Sequence, residues 1–188
     1  MQEMSPDLQP DCKSFAVFDF DETLALTDSE ILVTDDSGKK IRSLTPAQYA
    51  LYVPEPGENF DFSEFEIVKD GKPTALMDVL RDVAACGTTA AAILTARGPK
   101  SQGPIREFLK DMGVKLQIID TVNTSDPKAK ARKIKGYVRA YNPQVLHFFE
   151  DSPKNLEAVK KMAQIDPDFE NIDIFLHKMV DGNKVDVE

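Results

Sequence analysis

The chain has 188 residues, of which 41% are hydrophobic and 29% are charged, and these proportions suit one compact domain with a sizeable core. Its formal net charge of -9 argues against binding of extended duplex nucleic acid, because such a surface repels polyanions. Two cysteines, Cys12 and Cys86, are too few for a disulfide scaffold, and residues 1–13 contain no apolar run for a signal peptide or membrane span, so we expect a soluble cytoplasmic protein with reduced thiols.

The first elements are expected to be a buried strand and a hairpin. Residues 1–13 are polar and predict a short tail, whereas the apolar run Ser14–Phe18 predicts a strand buried on both faces. The β-prone runs Ile31–Thr34 and Lys40–Leu44 flank a turn rich in Asp and Gly. This arrangement is typical of a β-hairpin.

The segment after the hairpin is interrupted by proline and glycine residues. Residues 45–72 contain several prolines and predict an ordered but mostly irregular segment, with one short helix at residues 46–52. Together with the hairpin they form a cap-like insertion at residues 28–73, which is too small for a domain of its own. Residues 14–188 are therefore predicted to be a single domain, and the pattern leaves open whether residues 45–72 act as a mobile lid.

From residue 74 onward, amphipathic helices alternate with apolar strands. The predicted helices are two that end at Gly87 and Gly113, a basic helix at residues 128–141, and one that begins at Ser152-Pro153. The predicted strands are residues 89–94, 115–120, 144–149 and 172–177. This alternation predicts an α/β fold, a Rossmann-like three-layer sandwich with a central parallel sheet of about five strands and helices on both faces.

Polar side chains follow three of these strands at the point where each strand ends, in residues 19–23, 95–97 and 150–152. Ligands of open α/β sheets bind beyond the carboxyl ends of the strands, so one site is expected there. Asp19 and Asp21 leave an extended chain on the same side. Two carboxylates at a buried strand end require a cation or a shared proton, and Mg2+ with oxygen ligands is the natural cation.

The order of these residues resembles the four motifs of the haloacid dehalogenase (HAD) superfamily. Asp-Phe-Asp-Glu-Thr, beginning at Asp19 after a hydrophobic strand, resembles the first motif, and Thr95 at the end of the next strand resembles the second. Lys130, near the start of the basic helix, resembles the third motif, and the pair Glu150-Asp151 after a later strand resembles the fourth. The resemblance implies a HAD-like fold with a small cap or none.

The resemblance also implies a role for each matching residue. Asp19 would attack phosphorus and form an aspartyl-phosphate, while Asp21 would protonate the leaving oxygen and then deprotonate the attacking water. Thr95 and Lys130 would bind the phosphoryl oxygens. Mg2+ would be bound by the Asp19 carboxylate, the main-chain carbonyl of Asp21 and Asp151. The implied activity is a Mg2+-dependent phosphomonoester hydrolase.

Several residue assignments remain open at this point. Lys128 and Lys133 compete with Lys130 for the role of the catalytic lysine, because all three lie near the start of one helix. Glu150 and Asn155 depart from a common form of the fourth motif, which has Gly and Asp at these places. Their roles are therefore left open, and one interpretation places them in the outer shell of the metal, holding its water ligands.

Three further polar residues lie near this predicted site. Arg97 either binds a phosphate or carboxylate of the substrate or forms a surface salt bridge. Thr23 is expected to brace the loop after Asp21, and His147, inside an apolar strand, is expected to be a hydrogen-bonded core histidine.

The substrate is predicted less sharply than the reaction. The first motif and small insertion resemble the phosphatase half of polynucleotide kinase and phage RNA-repair-like HAD proteins, and the basic helix favours a nucleotide or polynucleotide-end phosphate as the partner. The alternatives are a phosphoprotein or small-metabolite phosphatase and a non-catalytic HAD-like binding module. An open site also allows closure by another subunit of an oligomer.

Overall fold

The computed structural model describes residues 13–49 and 51–185, so residues 1–12 of the predicted tail, with Cys12, lie outside the described residues. The strands are β1 (Ser14–Phe18), β2 (Ala25–Leu26), β3 (Ile31–Thr34), β4 (Lys40–Leu44), β5 (Asn59–Asp61), β6 (Lys72–Pro73), β7 (Thr89–Thr95), β8 (Ile118–Thr121), β9 (Val145–Glu150), β10 (Asp173–Val180) and β11 (Asn183–Val185). The helices are α1 (Pro46–Tyr49), α2 (Leu76–Ala85), α3 (Gln102–Asp111), α4 (Pro127–Tyr141) and α5 (Pro153–Ile165), and 3-10 turns lie at Ser63–Glu66, Pro99–Ser101 and Pro167–Phe169.

A six-stranded sheet with the order β11-β10-β9-β1-β7-β8 forms the centre of the protein. Its five strands β1, β7, β8, β9 and β10 are parallel, which confirms the predicted parallel sheet. The antiparallel edge strand β11 was not predicted, because its three residues carry no clear alternation. Strand β8 begins at Ile118 rather than at the predicted residue 115, since Val114 and Leu116 are already buried against the helices before the ladder starts.

Helices pack on both faces of this sheet. On β1, Ala16 and Phe18 point to the face covered by α2 and α3, whereas Phe15 and Val17 point to the face covered by α4 and α5. Two apolar clusters therefore lie on opposite sides of one strand, as the continuous apolar run predicted. The protein is a mixed α/β fold compatible with a Rossmann-like three-layer sandwich.

The predicted helices lie on both faces of the sheet, but on one face they do not extend over all of β9 and β10. On the α2–α3 side these strands carry stacked rings, and Phe175 is 48% exposed. His147 Nδ1 and His177 Nε2 lie 3.0 Å apart and form a hydrogen bond between the strands, so His147 is hydrogen-bonded as expected but is partly buried rather than part of the core. Burial and then the charge of Lys184 lower the pKa of His177 to about 4, and the same two causes lower the pKa of His147, which favours the neutral form of both rings.

The insertion after β1 is more regular than predicted. Strand β3 pairs with β4 as the expected hairpin, but β5 adds a third antiparallel strand within the segment predicted to be mostly irregular. Helix α1 ends at Tyr49 rather than at residue 52. Side chains from this segment surround buried residues of the hairpin and form a small separate core, whose members are Ile31, Val33, Leu44, Tyr49, Tyr52, Phe60 and Phe65.

The base of the insertion is tied to the main sheet by a short antiparallel ladder. In this ladder β2 pairs with β6, with Ala25 opposite Pro73 and Leu26 opposite Lys72. The hydroxyl of Thr74 donates to the carbonyl of Thr23 at 2.6 Å just beyond the ladder. The insertion therefore leaves and rejoins the fold at the carboxyl end of β1. Among the described helices, none has the length and apolar character needed to cross a membrane.

Candidate functional site

The carboxyl ends of β1 and β9 bring Asp19 next to Glu150. The strands pair with Phe18 opposite Phe149, and the Asp19 amide donates to the Phe149 carbonyl at 2.9 Å. Lys130 reaches the same point from the start of α4, with its Nζ 2.5 Å from Asp19 Oδ1 and 2.8 Å from Glu150 Oε2. Because all three residues are 5% exposed or less, the lysine bridges two buried carboxylates.

Burial dominates the electrostatics of this cluster. Burial, followed by the charge of Glu150, raises the pKa of Asp19 to about 7. Burial likewise raises the pKa of Glu150 to about 7 against the lowering effect of Lys130, and burial and the charge of Asp19 raise the pKa of Asp151 to about 6. Burial alone would lower the pKa of Lys130, but the two carboxylates together outweigh it and hold that pKa above its usual range.

The donor set of this cluster fits a hard divalent cation. One carboxylate oxygen from each of Asp19, Glu150 and Asp151 lies within 4.8 Å of the other two. When ionised, these three groups and the single ammonium of Lys130 leave an excess of two negative charges, which a buried site must neutralise with protons or a cation. Carboxylate oxygens are the ligands that Mg2+ and Ca2+ prefer. The predicted ligands Asp19 and Asp151 are thus together, and Glu150 lies with them as a third residue that could hold a metal ion.

Asp21 lies beside this cluster but is engaged by a different cation. Its Oδ2 accepts from Arg97 Nε at 2.8 Å, and its Oδ1 accepts from Arg97 Nη2 at 2.6 Å and from the Thr27 hydroxyl at 3.0 Å. The Arg97 side chain is 1% exposed. Arg97 is therefore a buried cation in a bidentate ion pair with the partly exposed Asp21, which rules out the surface salt bridge considered from the sequence.

Thr95, the last residue of β7, is 1% exposed at the same edge of the sheet. Its Oγ1 accepts the Arg97 amide at 3.2 Å, and a hydroxyl that accepts one hydrogen bond can still donate another. The hydroxyl of Thr23 is buried without a hydrogen-bond partner among the described residues. Thr23 therefore braces its loop through its carbonyl, which accepts from Thr74, and not through its side chain.

The geometry distinguishes Lys130 from the two competing lysines. Lys133 forms an ion pair of 3.1 Å with Asp120, and Lys128 is exposed at the start of α4. Lys130 alone of the three contacts the Asp19–Glu150 pair. Asn155 lies in the first turn of α5, where its main-chain N–H donates to the Ser152 carbonyl.

The basic helix α4 presents less free positive charge than its sequence indicated. Lys135 forms ion pairs with Asp166 and Asp168, and Arg139 also pairs with Asp168. Lys133 pairs with Asp120 as described, and Arg132 lies 3.7 Å from Asp126. Each of these cations is matched by a nearby aspartate, which weakens the case for a polyanion-binding surface.

The sequence indicated most members of the site but not two of its connections. Glu150 was named in the fourth motif, but its ion pair with Lys130 was not predicted. The contact between Arg97 and Asp21 joins residues 76 positions apart and leaves no local signal. Comparison with known proteins gives no match to any family model, curated protein or solved structure.

Proposed function

We propose that this protein is a Mg2+-dependent phosphomonoester hydrolase of the HAD type that works through an aspartyl-phosphate on Asp19. The observation that carries this proposal is the buried cluster in which Lys130 bridges Asp19 and Glu150, with Asp151 alongside. A nucleophilic carboxylate, a fixed cation for phosphoryl oxygens and an oxygen-rich metal centre are the parts that this chemistry needs. They occur in the chain order of the four motifs.

Asp19, Asp151 and Glu150 would hold the metal through side-chain oxygens, and Asp21 would contribute its main-chain carbonyl. When bound, Mg2+ offsets the negative charge of the phosphoryl group and of the carboxylates around it. The charge of Lys130 acts in the same direction and does not depend on pH in the neutral range, because its pKa is held above the usual lysine value.

In the first step, an oxygen of Asp19 attacks phosphorus, the bond from phosphorus to the leaving oxygen breaks, and Asp21 gives its proton to that oxygen. In the second step, water attacks phosphorus and gives a proton to Asp21, while the bond from phosphorus to Asp19 breaks and phosphate is released. Thr95 and Lys130 donate hydrogen bonds to the phosphoryl oxygens throughout. Asp19 returns to its starting state, so the atoms and protons balance.

A nucleotide or polynucleotide-end phosphate remains the predicted substrate class, but its support is reduced by the ion pairs along α4. These ion pairs favour small phosphomonoesters as substrates, because such substrates need no extended cationic surface. A phosphoprotein substrate and a non-catalytic binding role stay as the alternatives.

The test measures phosphate release from p-nitrophenyl phosphate, nucleoside monophosphates, 3′-phosphorylated oligonucleotides and phosphopeptides, with and without Mg2+. We expect turnover only with Mg2+, and we expect Asp19→Asn to abolish it. Asp78→Asn, at an exposed aspartate on α2, is the matched control and should keep full activity. Turnover that survives Asp19→Asn would refute the proposed nucleophile, and bound Mg2+ without turnover of any ester would favour the binding role.

A further inference from the structure

The Arg97 guanidinium has its full set of hydrogen-bond donors engaged. A guanidinium offers five N–H donors in a fixed fork. On one side the fork meets Asp21 and Thr27, with Arg97 Nη2 also 3.2 Å from Thr27 Oγ1. On the other side Arg97 Nη1 donates to the carbonyl of Phe65 at 3.0 Å and to the carbonyl of Ile67. Arg97 has therefore no donor left over for a substrate in this arrangement.

The two sides of the fork belong to different parts of the fold. Asp21 and Thr27 lie in the chain that follows β1, whereas Phe65 and Ile67 belong to the inserted segment 63–67. The guanidinium also lies between two rings, 5.3 Å from the centroid of Phe20 and 5.2 Å from that of Phe65. Such buried contacts hold the planar group in one orientation. Arg97 thus joins the insertion directly to the carboxyl group of Asp21.

The acceptor sites of Asp21 are filled unequally. An ionised carboxylate has about four lone-pair sites, two on each oxygen. Oδ1 accepts two hydrogen bonds, one from Arg97 Nη2 and one from the Thr27 hydroxyl. Among the described residues, Oδ2 accepts one, from Arg97 Nε. Oδ2 is therefore the less occupied oxygen of Asp21, and the hydrogen bonds to Arg97 and Thr27 fix the orientation of the carboxylate.

We propose that Arg97 is a positioning residue that holds the Asp21 carboxyl group in one orientation and ties that orientation to the position of segment 63–67. This inference rests on the proposed function, in which Asp21 protonates the leaving oxygen. Thr27 assists by occupying Oδ1. When segment 63–67 is seated, the fork is anchored by two carbonyls and Asp21 cannot rotate; when the segment lifts, the anchor and the orientation of Asp21 are lost together.

The kinetic test compares kcat/KM for two esters, because this parameter reports the step in which the leaving oxygen departs. The p-nitrophenolate of p-nitrophenyl phosphate leaves without a proton, whereas the alkoxide of glycerol 2-phosphate needs one. Arg97→Lys keeps the charge but cannot form the fork. It should reduce kcat/KM for glycerol 2-phosphate at least about tenfold more than for p-nitrophenyl phosphate, since a general acid contributes about 100- to 10,000-fold.

Two further variants keep this test decisive. Lys100→Met is the matched control, because Lys100 contacts Glu66 of the same segment at 2.8 Å without touching Asp21, and it should leave the ratio between the esters unchanged. Thr27→Val removes one contact and should shift the ratio in the same direction by a smaller factor, even where Arg97→Lys fails to fold. An equal reduction for both esters in Arg97→Lys and Thr27→Val would overturn the proposal.

A second readout requires no turnover and separates this inference from the proposed function. Amide hydrogen exchange in segment 63–67 should be faster in Asp21→Asn than in the wild-type protein, because the fork loses its charged partner. A wild-type protein that hydrolyses neither these two esters nor any member of the wider substrate panel would refute the proposed function, and the exchange result would still decide whether Arg97 couples Asp21 to the insertion. Unchanged exchange in Asp21→Asn would refute the coupling.

Discussion

Replacing Lys130 by Met should destabilise the fold strongly and in a pH-dependent way. The variant removes the ammonium that lies 2.5 Å from Asp19 and 2.8 Å from Glu150, and both carboxylates stay buried. Removing one partner of a buried ion pair costs about 3–5 kcal/mol, because an uncompensated charge is left behind. For a protein of this length, that cost corresponds to a decrease in Tm of about 6–20 °C.

The sign of the pH dependence follows from the two acids. Their pKa values are already raised, to about 7 each, and loss of the lysine raises them further. Between the unfolded and folded pKa values, the folded protein binds protons that the unfolded chain has released. The free energy of unfolding of the variant therefore falls as pH rises. Its loss relative to wild type should be larger at about pH 8 than at about pH 5.5.

The assay is thermal unfolding followed by circular dichroism at both pH values, without added metal. Lys133→Met is the matched control on the same helix, because its partly exposed pair with Asp120 is worth about 0–1 kcal/mol. Adding Glu150→Gln to Lys130→Met removes one unpaired buried carboxylate and should recover part of the lost free energy of unfolding. A decrease in the free energy of unfolding of Lys130→Met below about 1 kcal/mol, or the same decrease at both pH values, would refute the claim that Lys130 bridges two buried carboxylates.

Two other predictions concern metal binding and the backbone. Mg2+ should raise Tm more at about pH 8 than at about pH 6, because protons compete with the metal for carboxyl groups whose pKa values are about 6–7. Asp151→Asn should reduce this increase in Tm. Equal increases at the two pH values would contradict the prediction. In a denaturation series, Gly182→Ala should lower the free energy of unfolding by about 1–3 kcal/mol, since the new Cβ would lie 2.0 Å from Thr74 Cβ. Gly136→Ala, which has open space in α4, should raise that free energy by about 0.5–1 kcal/mol. The reverse order of the two effects would contradict the reasoning.

The parts of the fold that depend on local pattern were predictable from the sequence. The bounds of β1, β3 and β4 match the predicted bounds, because an apolar run and a turn rich in Asp and Gly determine them locally. The convergence of Asp19, Thr95 and the Glu150-Asp151 pair was also predictable. Parallel strands present their carboxyl ends at one edge, so a polar residue after each strand must arrive there.

The parts that depend on long-range pairing were not predictable. Strand β5 has only three residues and exists because β3 offers it a free edge, and Phe60 then completes the small core of the insertion. The fork from Arg97 to Asp21 depends on how the loops after β1 and β7 meet. The ion pairs along α4 require Asp120, Asp166 and Asp168, which lie outside that helix, so its sequence alone indicated a more basic surface than the fold presents.

The measurement that tests the central claim most directly is the capture of phosphate on the protein. Wild-type protein is mixed with a radiolabelled phosphomonoester and Mg2+, quenched with acid within the first turnover, and analysed for label on the chain. We predict a label that survives acid, is released by hydroxylamine as an acyl phosphate is, maps to the peptide containing Asp19 and is absent in Asp19→Asn. Phosphate release without any labelled protein, or a label that persists in Asp19→Asn, would contradict the proposed mechanism.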